Sequence, residues 1–251
     1  MTEIITSRQN RTVKYIRALS RERELRCQMR EFVCDGEKLL NEAMAEKAEI
    51  VTALFSADKY STVPEIPGAD AMLVTQDVLD SITTLKSAQD VIFTCRMKKS
   101  EEKPLSRIIL LDRLQDTGNL GTIIRTADAL GIDAVFEDGC ADIYNPKTVR
   151  AAMGSLFRVP VISANFTELI PKLQKQGIKV YASELYGDVK SISDTSLSHA
   201  GVVIGNEGNG VRREISSLCD SSIIIPMRGG AESLNASVAA AIFMYKMSEN
   251  L

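Results

Sequence analysis

The second half of the chain constrains the fold most. Short apolar runs, "RIILLD" (107–112), "DAVF" (133–136), "IKVYAS" (178–183), "GVVIG" (201–205) and "SSIIIP" (221–226), alternate with stretches of helical character. Runs this short and this apolar must be covered on both faces, which predicts a mostly parallel sheet between layers of helix. The first of these helices is expected from about 119 to 130. The first half repeats the alternation on a smaller scale, with strand-like runs at 31–34, 50–55, 71–74 and 91–95 and helices near 37–46 and 76–85. Between the halves, "MKKSEEKPLS" (97–106) holds five charges, a proline and two serines, the composition of a linker. The chain therefore reads as two α/β domains, 1–97 and 107–251, joined by 98–106.

Several function classes are excluded early. At 251 residues, 45% hydrophobic and 25% charged, the chain is an ordinary globular sequence. No uninterrupted apolar run reaches about 18 residues, so no membrane span is expected. The start, "MTEIITSRQNRTVKYIRAL", lacks the apolar core of a secretory signal. Cys27, Cys34, Cys95, Cys140 and Cys219 lie far apart with no C-x-x-C pair, and His199 is the single histidine. That pattern fits neither a zinc site nor a disulfide framework, and it points to the reducing cytoplasm. His199, just before an apolar strand, is expected in a loop rather than at a site.

Net charge is −3, yet its distribution is uneven. Between Arg8 and Arg30 there are eight basic residues and two acids, a local charge of +6. Val13, Ile16 and Leu19 recur there at helical spacing, so the basic residues decorate a helix that would attract a polyanion. A solvated helix face is the plainer account of the same run.

Three polar loops follow strand ends of the second half, where open α/β sheets place their ligands. "DRLQDTGNLGTIIRTADALG" (112–131) opens a helix with Asn119 and carries Arg125. "VIGNEGNGVRREI" (203–215) has three glycines in six residues. "IIIPMRGGAESLNASVAAA" (223–241) ends a strand at a proline and offers Ser233 or Asn235 as cap of the last helix. The glycine order is not the G-x-G-x-x-G of dinucleotide folds. It also arrives too late, with 41 residues after Gly210. A Rossmann-type enzyme is disfavoured, and no P-loop or carboxylate cluster is present.

N-x-G-x-x-x-R-T-A from Asn119, I-G-N-E-G-x-G-V from Ile204 and I-P-M-x-G-x-x-x-S-L-N-x-S-V-A from Ile225 together resemble the three motifs of the SpoU (TrmH-type) family. These are S-adenosylmethionine-dependent RNA ribose 2′-O-methyltransferases of the SPOUT class. The resemblance covers roughly 107–249. Ala236, where valine is commoner, and Arg228 are slight departures. The N-terminal part, through "SRQNRTVKYIRAL" and "FVCDGEKLLNEA", resembles the ribosomal-protein-like substrate-binding domain often attached to that family.

The resemblance implies a C-terminal domain with a deep trefoil knot, pairing as a homodimer, with RNA (ribosomal before transfer RNA) as substrate and no metal. It implies cofactor contacts at Gly205, Glu207, Ile225, Met227, Leu234 and Asn235. Gly229 and Gly230 are expected to allow close backbone approach. Arg125 maps to the catalytic residue, with Asn119, Glu207, Ser233 and Asn235 shaping the pocket. Arg125 is expected to project past the start of a short helix. A guanidinium is effectively always protonated, so a charge clamp suits it better than a general base. The other reading is a non-catalytic RNA-binding module that keeps the fold.

Overall fold

The computed structural model describes residues 3–84, 88–98 and 104–249, and the chain divides into two units. One is Met1–Lys99 with Tyr144–Phe157; the other is Ser100–Ile143 with Arg158–Leu251.

The first unit runs β1 (Ile4–Ile5), α1 (Arg11–Arg21), α2 (Arg23–Met29), β2 (Glu31–Asp35), α3 (Glu37–Ala45), β3 (Ile50–Ser56), β4 (Asp70–Val74), α4 (Gln76–Ile82) and β5 (Val91–Arg96). Its sheet order is β1-β4-β3-β5-β2, with β5 antiparallel to both neighbours and the other pairs parallel. Asn10 caps α1 by accepting from the Thr12 and Val13 amides. The spacing of Val13, Ile16 and Leu19 puts all three against Leu54, Val78, Leu79 and Ile82 in one core cluster.

That packing sorts the eight basic residues. Arg26 is 2% exposed and donates to the Leu19 carbonyl. Arg8 pairs with Asp77, and Arg17 donates to the Ser81 hydroxyl at 2.6 Å and carbonyl at 3.0 Å. Arg11, Lys14, Arg21, Arg23 and Arg30 remain exposed. The first three of these share one face of α1, at i, i+3 and i+10.

Residues 144–157 interrupt the span expected for the second domain. Asn145 caps α6 (Pro146–Ala152), whose Val149 packs, together with Phe157, into the core of Phe32, Cys34 and Leu39. These apolar side chains are buried in the first unit. Of the expected linker, residues 99–103 lie outside the described residues.

The second unit runs β6 (Arg107–Asp112), α5 (Thr117–Ala129), β7 (Ala134–Asp138), β8 (Val161–Ser163), α7 (Phe166–Lys175), β9 (Lys179–Ser183), β10 (Val189–Ser191), β11 (Ala200–Ile204), α8 (Arg213–Ser216), β12 (Ser221–Ile224) and α9 (Ala236–Ser248). Its sheet is ordered β10-β12-β9-β11-β6-β7-β8 and every pairing is parallel. Ile108 to Leu111 are fully buried, which is why β6 carries no polar alternation. From β6 the chain winds through β7 and β8 to one edge, then returns to build the other side. There β11 is inserted between β6 and β9. The winding changes direction at β6 and β11, and their carboxyl ends open a crevice.

Candidate active site

Three loops meet at that crevice, and each is fixed by its own local chemistry. After β6, Asp112 is completely buried and Arg113 adopts a left-handed backbone, φ 57°. Asp116 then caps α5 by accepting from the Asn119 amide at 2.7 Å. The helix therefore begins at Thr117, two residues before the expected start, because Asp116 rather than Asn119 is the residue that caps it.

After β11 the chain doubles back tightly. Asn206 and Gly210 exchange two backbone hydrogen bonds, of 3.0 and 2.9 Å. The Asn206 side chain accepts from the Gly208 and Asn209 amides at 3.0 and 3.1 Å. A Cβ on Gly205 would collide with the backbone of Gly210 and Val211, so glycine is required there by the loop's own closure. Arg212 ties the end of the loop to the neighbouring strands. Its Nε donates to Asp112 at 2.6 Å, its Nη2 to Asp138 at 2.6 Å and its backbone amide to Asp112 at 2.8 Å.

The loop tip presents Glu207 to the start of α5. Its carboxylate accepts from the Gln115 amide at 3.2 Å, the Asp116 amide at 3.1 Å and the Asn119 side chain at 3.2 Å. Burial alone would raise the Glu207 pKa. The amide of its own residue, the Asn119 side chain and the Asp116 and Gln115 amides outweigh burial, and the group is held below the ordinary carboxylate value. Asn119 in turn accepts from Asn235 at 3.0 Å. Asn235 caps α9 through the Ser237 amide at 2.9 Å and the Ser237 hydroxyl at 2.6 Å. Glu207, Asn119 and Asn235, one from each loop, thus form a continuous polar relay.

Beside the relay lies a cavity of about 790 Å³, with Gly205, Ile225, Met227, Leu234 and Phe243 among its walls. It joins apolar walls to exposed loop backbone, which suits a ligand with a flat apolar ring and a polar tail. Glu207, Ser233 and Asn235 line it as well.

A Cβ at Gly229 or Gly230 would meet nothing in the protein within 4 Å, so both backbones stand open to solvent. One expectation needs correction. Arg125 does not project past the start of α5. It is the ninth residue of a thirteen-residue helix, about 12 Å along the axis from the first. It is exposed on the stripe Gly118, Thr122, Arg125 and Ala129, makes no hydrogen bond or ion pair with the described residues, and is absent from the cavity walls.

Residues that sequence reasoning passed over are also here. Glu184, Leu185 and Tyr186 follow β9 and line the cavity. The Ser216 and Ser222 hydroxyls, each at 2.6 Å, hold Glu184 in place. The signal was available, because β9 is one more strand ending at the same edge. His199 is exposed at the opposite end of β11, bonded to the Ser106 hydroxyl at 2.9 Å. Among the described residues, no group of three or more metal-ligating side chains occurs and no helix is long and apolar enough to cross a membrane.

Residues 106–245 match the SpoU rRNA Methylase family. The chain belongs to that family. Residues 10–92 match the MRM3-like substrate binding domain. A relative from Bacillus subtilis (strain 168), the 23S rRNA (guanosine(2553)-2′-O)-methyltransferase RlmP, is 34% identical over 97% of this chain and 98% of that protein. Among solved structures, an AdoMet-bound rRNA methyltransferase from Sinorhizobium meliloti superposes with a TM-score of 0.87 at 30% identity, over 100% of this chain and 98% of the other. The SpoU methyltransferase AviRb from Streptomyces viridochromogenes, in complex with AdoMet, gives 0.86 at 26% identity over 96% and 98%.

Proposed function

We propose that this SpoU-family protein transfers a methyl group from S-adenosylmethionine to a ribose 2′-hydroxyl of ribosomal RNA, and that its target is a guanosine of 23S rRNA. The observation that carries the reading is the Glu207–Asn119–Asn235 relay at the mouth of the cavity. The finer target rests on the full-length likeness to RlmP.

When bound, the cofactor supplies a methyl group already activated on a sulfonium. The protein's task is then to hold and orient, and well-aligned reactants gain on the order of 7–11 kcal/mol from positioning. Gly205, Ile225, Met227 and Leu234 enclose the cofactor, and Glu207 and Asn235 fix the loops that carry them. Asn119, between the two, hands the hydrogen-bond pattern from one loop to the next. Ser233 adds a hydroxyl at the wall. Arg125 clamps a phosphate of RNA that reaches the outer face of α5.

The same reading includes a knotted C-terminal domain, in which the segment after β12 is threaded behind an earlier loop; the packing of α9 on α5, β6 and β11 supports it. It also includes a homodimer through the knotted domain, with the outer face of α9 in the contact. Val238 and Tyr245 of α9, 47% and 61% exposed, support that pairing. Sedimentation of a 27.5 kDa monomer that still methylates RNA would refute it. The protein works in the cytoplasm on this reading, with 98–106 acting as the linker between substrate and methyltransferase domains.

The test is a map of ribose methylation across 23S rRNA from cells with and without the protein. It is paired with methylation of an unmodified 23S transcript by the purified protein. One guanosine should lose its methyl group in the deletion and regain it in vitro; unchanged maps with an inert purified protein would overturn the reading.

A further inference from the structure

Four non-glycine residues among those described have positive φ: Arg30, Lys47, Arg113 and Met153. Three of them end helices. Arg30 and Met153 are the C-caps of α2 and α6, and Lys47 directly follows the C-cap of α3. Left-handed residues are common in that setting. Arg113 has no such excuse, since it follows strand β6 at the crevice. Asparagine, aspartate or glycine hold such a conformation more easily than arginine does.

The backbone of Arg113 is fully engaged. Its amide donates to the Asp138 carbonyl at 3.0 Å. Its carbonyl accepts from the Asn206 side chain at 2.9 Å and the Gln115 side chain at 3.1 Å. The fold therefore fixes the left-handed turn whatever the side chain is, and glycine would satisfy every one of these bonds. The side chain is another matter. It is exposed, and its guanidinium makes no hydrogen bond or ion pair with the described residues. Its stem runs along Gly139, where an added Cβ would stand 3.4 Å from Cγ. Gly139 directly follows β7, so the arginine lies over the carboxyl ends of β6 and β7. The cofactor cavity is walled instead by the segments after β9, β11 and β12, and Arg113 is not among its residues. Glu207, bonded to Gln115 and Asp116, stands between the two.

A strained, unpaired guanidinium beside a catalytic relay, on the side away from the cofactor, fits an anionic substrate. We propose that Arg113 is an additional substrate-binding residue whose guanidinium takes a phosphate of the RNA backbone next to the target nucleotide. This rests on the proposed activity, and it adds a contact that the three motifs do not assign.

The experiment compares wild type, Arg113→Gly and Arg113→Lys for binding to an unmodified 23S rRNA fragment across a salt series. S-adenosylmethionine affinity and thermal unfolding are measured alongside. Arg113→Gly should bind RNA about tenfold more weakly, as expected for one lost charge-assisted bond. Its plot of log affinity against log salt should be shallower by about one. Cofactor affinity should not change, and Tm should stay level or rise by about 1–3 °C as the strain is relieved. Arg113→Lys should restore the salt slope without the gain in Tm. Wild-type RNA affinity and slope in Arg113→Gly would overturn the proposal. So would a fall in Tm accompanied by weaker cofactor binding, because that marks a structural residue. The readout is RNA binding rather than turnover, so a wild type that binds but does not methylate would count against the activity and leave this contact standing.

Discussion

Replacing Arg212 with methionine tests whether the second loop is held by charge. Asp112 is completely buried and keeps a single bond to the residue 212 amide once the guanidinium is gone. Removing one partner of a buried pair costs about 3–5 kcal/mol, because the remaining charge is left without compensation. Arg212 is 20% exposed and Asp138 23%, so water reaches part of the cluster and the lower end applies, about 3 kcal/mol. At about 2–4 °C per kcal/mol, Tm of the transition that includes this unit should fall by about 6–12 °C. The loop closed by Gly205 is anchored at its far end by Arg212, so S-adenosylmethionine affinity should fall by about tenfold if half of the cost appears as local opening. The assay is a double-mutant cycle with Asp112→Asn, read by thermal unfolding and calorimetry. The double variant should recover much of the lost stability, since asparagine still accepts from the residue 212 amide and buries no charge. Additive losses in the double variant, or a Tm for Arg212→Met within about 2 °C of wild type, would refute the argument.

Glu207 contributes to the site while it is ionised, and its folded pKa lies below the ordinary value. Its contribution should therefore be complete above the usual carboxylate range and be lost only as pH falls through the depressed folded value. Cofactor titrations from neutral to acid pH should show wild type holding affinity further into acid than the relay-breaking Asn119→Ala. Labelling with a thiol reagent should find one fast cysteine, Cys27, which is exposed. Burial pushes Cys140 and Cys219 up to about 12, and Cys34 and Cys95 are enclosed, so a second fast thiol would contradict the core. Exchanging Arg11, Lys14 and Arg21 for glutamine should weaken RNA binding by about tenfold or more at moderate salt and leave Tm nearly unchanged. Arg26→Gln should do the reverse, because that side chain is buried.

The central strands of the second sheet were legible because both of their faces are buried, which leaves an apolar run with no alternation. β8 and β10 were not, since each is a three-residue edge strand with half-exposed side chains. The start of α5 was misplaced because Thr117 and Gly118 read as loop residues, and a single hydrogen bond to Asp116 decides otherwise. All members of the relay could be named from motifs. Their joining could not, since Asn119 and Asn235 are 116 residues apart and meet only through the sheet order. Asn145 and Pro146 do announce a helix start, yet nothing local says that its Val149 will be buried with Phe32.

The geometry also narrows the fate of the 2′-hydroxyl proton. A useful general base has a pKa near the working pH and a free lone pair within reach of the proton. Arg125 fails the first condition, as guanidinium groups stay protonated. It also sits on the outer face of α5, about 9 Å along the axis from Asn119, so it acts on whatever reaches that face rather than within the relay. Glu207 is the carboxylate of the relay, and it fails on both counts. Its oxygens are taken by two backbone amides and the Asn119 side chain, and those same bonds lower its pKa and weaken it as a base. On the proposed reading, Glu207 organises the loops, Arg125 supplies positive charge to RNA at the outer face of α5, and the proton leaves to water. Because the methyl group is already activated, the attacking oxygen needs only partial loss of its proton as the new bond forms.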